Sequence, residues 1–242
     1  MRINGRKNDQ MREMEAKVGI IKRADGSAYF RIGDTIAIAA VYGPRELHPK
    51  FLQDPEKGIL RCNYDMMSFS VPERKRPGPS RRSVEISLVT EKSLLPVLDL
   101  RQFPNAVVDI FIQIIQANSG TRCAGITAAS MALAHAGIPM CDLVSAVSVG
   151  RINNEIVIDL DKDEEDTENA TDIPLAFTGR DKEINLLQLD GDVSREELLK
   201  AIELAKKGCE EINEIQKKAL IDHIKEKDNI KVKEAKEKSE EE

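Results

Sequence analysis

Short apolar runs broken by Gly, Pro and Asp fill the first third of the chain, a pattern of strands rather than helices. Residues 18–21 and 28–30 flank Asp25-Gly26, a pair suited to a hairpin turn. The run TIAIAAVY over 35–42 is almost wholly apolar and meets Gly43-Pro44, which predicts a buried strand ending there. Another strand is expected over 59–66. From 83 to 98, Val84, Ile86, Leu88, Val89, Leu94, Leu95 and Leu98 fall at helical spacing, with Ser80 placed to cap the helix.

The middle of the chain changes period abruptly. Residues 106–116 (AVVDIFIQIIQ) form a long strand pattern that runs into Ser119-Gly120 and then into a small-residue helix over 124–136, closed by Gly137 and Pro139. Strands are expected over 143–149, 155–160, 173–177 and 184–189. Ser194 with Glu197 makes a capping box that opens a long C-terminal helix. Beyond about residue 225 the chain is almost all Lys and Glu without an apolar stripe, which suits a frayed helix or a disordered tail. The expected fold is α+β, with a main domain over 1–150, a smaller α+β portion over 151–225 and a charged tail over 226–242.

Composition narrows the function classes. A length of 242 residues with 41% hydrophobic content supports a real core. Trp is absent and aromatics are 4%, so base-stacking platforms of the single-strand-binding type are disfavoured. The formal charge of −6 repels polyanions, so a protein acting on one must concentrate cations locally. Cys62, Cys123, Cys141 and Cys209 form no C-x-x-C pair, and the three histidines show no ligand spacing with them. That predicts a reduced, cytoplasmic protein without structural zinc. The N-terminus lacks an apolar segment and no run of eighteen apolar residues occurs, so neither secretion nor a membrane span is expected.

Three stretches can carry chemistry. The first, 74–82, places five cations in nine residues around Pro and Gly, with Arg81 and Arg82 in the first turn of the expected helix. Arginines there oppose the helix dipole, which is awkward for the helix and useful for an anion, although a solvated basic loop is an equal reading. The second, Ser119-Gly120-Thr121-Arg122, offers a backbone able to approach a ligand, a hydroxyl and a guanidinium at a helix start. The pattern G-x-x-x-x-G-K-[ST] is absent, so triphosphate hydrolysis is disfavoured. The third is the acidic run 159–172. Glu164 and Ala170 stand where a calcium loop needs Gly and Glu, so an EF-hand is rejected and most of the acids suit a solvated loop. Asp172, opening an apolar strand, is better placed for acid–base or metal work. His135, inside the alanine-rich helix, suits packing rather than catalysis.

The blocks ADGSAY (24–29), AAVYGPRELHPK (39–50), PSRRSVEIS (79–87), GTRCAGITAAS (120–130), AGIPM (136–140) and EEDTENATDIPLA (164–176) together resemble the RNase PH superfamily over about residues 4–220. The first two are similar to its archaeal exosome branch rather than to bacterial RNase PH. The resemblance implies an RNase PH-like fold of mixed sheets and helices, and 3′→5′ phosphorolysis of RNA that uses inorganic phosphate as co-substrate and releases nucleoside diphosphates. It also implies a hexameric ring with a non-catalytic paralogue and caps of S1 or KH type. By the same resemblance Arg82, Ser119, Gly120, Thr121 and Arg122 bind phosphate, Arg81 and Lys50 hold RNA, and Asp166 and Asp172 are the catalytic acids. Magnesium bridging the acids and substrate oxygens is compatible with that chemistry, and no protein metal site is read from the residues. A non-catalytic ring subunit and a free-standing tRNA-trimming enzyme are the alternatives. The sequence departs from the family pattern at Asn118 and His135, where Asp is usual. It departs also at Asn63, Asn105 and Cys141, where Arg is usual, and at Asn169, where Gly is usual.

Overall fold

The computed structural model describes residues 2, 4–153, 155–167 and 170–240, so Asn169 lies outside the described residues. Two sheets enclose one central helix. The first sheet holds β1 (Met14–Val18), β2 (Gly26–Ile32), β3 (Thr35–Glu46), β4 (Ile59–Met66) and β5 (Ala106–Gln116), in the order β1-β2-β3-β5-β4. All its pairs are antiparallel except β4 with β5. The second holds β6 (Val144–Ile152), β7 (Glu155–Ile158), β8 (Thr171–Thr178) and β9 (Ile184–Leu187), in the order β7-β6-β8-β9, and is wholly antiparallel. The helices are α1 (Arg81–Leu94), α2 (Thr121–His135), a single turn α3 (Lys162–Glu165) and α4 (Arg195–Glu240).

A hairpin forms, but its first strand is β1 over Met14–Val18 rather than 18–21; only Val18 is common to both, and it pairs with Ala28. β3 does not stop at Gly43-Pro44. A register shift between Tyr42 and Arg45 lets the strand pass the proline and continue to Glu46, because a bulge needs no ladder donor from it. β6 runs across residue 150, where the sequence suggested a seam.

Helix α2 is buried on nearly every side, from Thr121 to Leu133, because it packs against β2 and β3 on one sheet and β6 on the other. A helix covered all round has no use for a polar stripe, and its alanines let both sheets approach closely. His135 ends it as a packing residue. Its Nδ1 accepts the Ser27 N–H at 3.1 Å and its Nε2 meets His223 Nε2 of α4 at 3.1 Å.

Helix α1 carries the expected Ser80 cap, reciprocated by Ser83. Its buried face is Ile86, Thr90 and Ser93, however, while Val84 and Leu88 are 62% and 49% exposed. Small hydroxyl residues bring α1 close to β4, where Ser87 Oγ accepts the Tyr64 N–H at 2.9 Å. The capping box of α4 forms as expected, with Ser194 N–H donating to Glu197 at 2.8 Å. Its backbone stays helical through the Lys- and Glu-rich stretch to Glu240.

Candidate active site

Strand β5 ends in a tight turn before α2. Ser119 and Gly120 both adopt left-handed backbone, at φ 60° and 64°, and Gly120 stands as the N-cap. A glycine cap supplies no side-chain acceptor, and the first backbone hydrogen bond of the helix runs from Ala124 N–H to Gly120. The amides of Thr121, Arg122 and Cys123 are therefore left without helical partners, and the positive end of the helix dipole adds to them. The helix starts three residues earlier than its apolar pattern suggests, which places Thr121 and Arg122 inside its first turn.

This turn forms part of a cleft of about 480 Å³. Arg82, Ser119, Gly120, Thr121, Arg122, Asp166 and Asp172 all line it, although they come from α1, the β5–α2 turn, the end of α3 and β8. Polar residues given no role from the sequence also line it: Lys75 within the basic stretch 74–82, Lys162 and Glu165 within the acidic run 159–172, and Ser148 and Asp190 outside both. The Ser148 hydroxyl gave no distinct signal, because the same strand carries a second serine, Ser145, that serves packing against Cys209. Arg81 and Lys50 lie elsewhere. Arg81 is exposed at the start of α1, and Lys50 is exposed in a 3₁₀ turn, 3.7 Å from Glu46.

The positive groups are only partly satisfied. Arg122 is mostly buried and reaches Glu85 at 3.3 Å through one terminal nitrogen, while its Nε is buried without a partner, as is the Thr121 hydroxyl. The Thr121 hydroxyl faces the Tyr64 hydroxyl, so Arg122 Nε is the donor that a bound oxyanion would satisfy. Lys75 is held by Asp65 at 2.9 Å, and Lys162 by Asp166 at 2.7 Å.

The acids differ among themselves. Asp172 is largely buried and accepts a hydrogen bond from the Ser148 hydroxyl. Burial pushes its pKa up, and Glu165 and Asp190 add to the rise against the opposing Ser148 bond and Arg122. Asp166 stands at the C-terminal end of α3 with its side chain 61% exposed.

The acidic run is not the solvated loop its composition suggested. Asp161 caps α3 reciprocally with Glu164. Glu164 is fully buried in a two-pronged pair with Arg2 at 2.6 and 2.7 Å, and Arg6 reaches it at 3.3 Å. Asp159, also buried, is held by both prongs of Arg12 at 2.7 and 2.9 Å and by Arg6 at 3.2 Å. These partners lie some 150 residues away in the sequence, so no local pattern could reveal them.

Among the described residues no three His, Cys, Asp or Glu side chains converge to hold a metal ion. No helix among them is long and apolar enough to cross a membrane. The cysteines are free thiols.

Comparison with known proteins agrees with the geometry. Residues 10–139 match the first domain of the 3′ exoribonuclease (RNase PH) family and residues 142–208 its second domain. The exosome complex component Rrp41 of Pyrococcus furiosus is 52% identical over 219 residues, covering 90% of this chain and 87% of that protein. Its counterpart from Methanopyrus kandleri is 48% identical, covering 91% and 92%. The crystal structure of rice Rrp46 superposes with a TM-score of 0.81 at 26% identity, covering 90% of this chain and 99% of that one. Two consecutive domain matches, this level of identity and a shared two-sheet architecture make the chain a member of the 3′ exoribonuclease, or RNase PH, family.

Proposed function

We propose that this chain is the catalytic RNase PH-like subunit of an archaeal RNA exosome, shortening RNA from its 3′ end with inorganic phosphate. The observation that carries the reading is the convergence of the Ser119–Arg122 turn, Arg82, Asp166 and Asp172 on one cleft. Inorganic phosphate seated at the start of α2 attacks the last phosphodiester phosphorus. The bond to the 3′ oxygen of the preceding ribose breaks, and a nucleoside diphosphate leaves. Two anions must be brought together, and Arg82, Arg122 and the free helix amides offset their repulsion. The departing 3′ oxygen needs a proton. Asp166 is the principal acid in this reading, and Asp172, whose raised pKa keeps a proton to higher pH, is its partner. Run in reverse, the same site adds 3′ tails from nucleoside diphosphates.

Asp166 and Asp172 are hard oxygen donors of the kind magnesium takes. Either would hold the ion, which would supply positive charge against the reacting phosphate groups. Arg81 and Lys50, exposed outside the cleft, suit contacts to the RNA backbone further along its path.

Val84 and Leu88 on α1 and Ile184, Leu187 and Leu189 at β9 are exposed on neighbouring elements, with β9 at a sheet edge. An apolar surface beside an open strand supports the reading of a ring built with a non-catalytic paralogue, with S1- or KH-type caps supplying further RNA contacts.

The test incubates the chain, alone and with its paralogue, with labelled oligoadenylate in phosphate and in phosphate-free buffer. The expected product is nucleoside diphosphate, only with phosphate and only in the heteromer. Diphosphate release by the chain alone would mark a free-standing enzyme, and monophosphate release without phosphate would overturn the phosphorolytic reading. Asp166→Ala is expected to lower turnover by about 10³-fold or more while leaving RNA binding intact. Full turnover in that variant would remove Asp166 from its role.

A further inference from the structure

The two sides of the cleft belong to different sheets, and two bridges join them. Asn118 directly precedes the phosphate turn. Its backbone N–H donates to Thr35 Oγ1 at 3.0 Å, and that hydroxyl donates to the Ser119 carbonyl at 2.7 Å, which fixes the turn on β3. The Asn118 side-chain oxygen accepts the Lys162 N–H at 3.0 Å, at the first residue of α3. This is the first bridge. Its carbonyl accepts Arg12 Nη1 at 2.5 Å, while the rest of the same guanidinium grips Asp159, two residues before the α3 cap. This is the second.

The network continues to the other acid. The Asp159 N–H donates to the Ser148 carbonyl at 2.7 Å, and the Ser148 hydroxyl donates to Asp172. Arg12 itself has little freedom. Its side chain is 9% exposed, a Cβ on Gly33 would lie 2.5 Å from its Cδ, and a Cβ on Gly120 would lie 3.5 Å from its Nη2. Gly33 (φ +55°) therefore leaves the space that the Arg12 side chain fills, whereas a Cβ at Gly120 would make only ordinary contact with it.

We infer that Asn118 and Arg12 are positioning residues that set the acid-bearing turn α3 against the phosphate-binding turn. The inference rests on the phosphorolytic reading of the cleft. Neither residue lines the cleft, so each acts through Ser119, Lys162 and Asp159 rather than on substrate. The reaction needs the acid close to the leaving oxygen while phosphate is held on the opposite side of the phosphorus, and displacements of about 1 Å cost up to about 10²-fold in rate. An oxygen acceptor at 118 is what the first bridge needs, and either an amide or a carboxylate supplies it. An Asp at this position would keep the bond to Lys162, so the departure from the family's usual residue preserves the device.

Arg12→Ala leaves the buried Asp159 with Arg6 as its one remaining charged partner among the described residues and endangers folding, so the decisive variants are Asn118→Ala and Asn118→Asp in the assembled ring. With oligoadenylate and inorganic phosphate, Asn118→Ala is expected to lower kcat about 30-fold with the KM for phosphate within about threefold, and Asn118→Asp to recover most of the rate. Hydrogen exchange by mass spectrometry, followed on the peptide containing Lys162, should speed up in the alanine variant and stay slow in the aspartate variant. A wild-type rate in Asn118→Ala, a loss confined to the KM for phosphate, or unchanged exchange would overturn the inference. If the wild-type ring shows no phosphate-dependent turnover, the proposed function fails, and the exchange measurement still decides whether Asn118 holds α3.

Discussion

The two sides of the cleft are built by opposite means. The anion side is local. A left-handed serine–glycine pair and a helix start put three free amides, a hydroxyl and a guanidinium within a few consecutive residues. The acid side is a single helical turn between strands, far too short to be stable alone, and it is held by arginines from the first dozen residues of the chain. Backbone geometry can specify a site from sequence neighbours, whereas an exposed acid on a short turn needs distant partners. The buried pairs Arg2–Glu164 and Arg12–Asp159 supply that hold, and the cations proposed to bind phosphate, Arg82 and Arg122, take no part in it.

Removing the hold should have the largest effect. Glu164→Ala leaves the Arg2 guanidinium buried and unpaired, with an expected loss of about 3–5 kcal/mol in denaturant unfolding, whereas Asp163→Ala, on the exposed neighbour, should stay within about 0.5 kcal/mol. Equal losses would mean that α3 is not held by its buried face. On the anion side, Arg122→Lys keeps a charge but loses the planar fork. It is expected to raise the KM for phosphate about 10- to 100-fold with little change in stability, measured by initial rates at varied phosphate. A variant that unfolds with unchanged KM would erase the contrast between the two sides.

The smallest effect concerns Asp172. Its folded pKa is raised by burial, so the native state holds this proton to higher pH than the unfolded chain does. The stability it contributes is full below the unfolded carboxylate range and declines as pH rises from there through the folded pKa. Asp172→Asn should therefore gain stability relative to the wild type as pH rises from about 4 to 7. Denaturant midpoints across that range measure it, and a difference independent of pH would show that Asp172 is not desolvated.

By itself the sequence determined the strand and helix segments, since alternating or continuous apolar runs and caps such as Ser80 and Ser194 act over a few residues. It also determined the glycine turn before α2, because only a residue free of Cβ strain caps a helix comfortably in left-handed backbone. Family resemblance, rather than spacing, singled out Asp166. Tertiary structure alone decided which face of α1 is buried, how β3 passes Pro44, and that the turn capped locally by Asp161 and Glu164 is anchored by a buried Glu164. It also decided the bridges from Asn118 and Arg12. Each of these depends on partners from distant segments or a neighbouring strand, and the energy of a buried ion pair or a packed helix face exists only once the chain has brought them together.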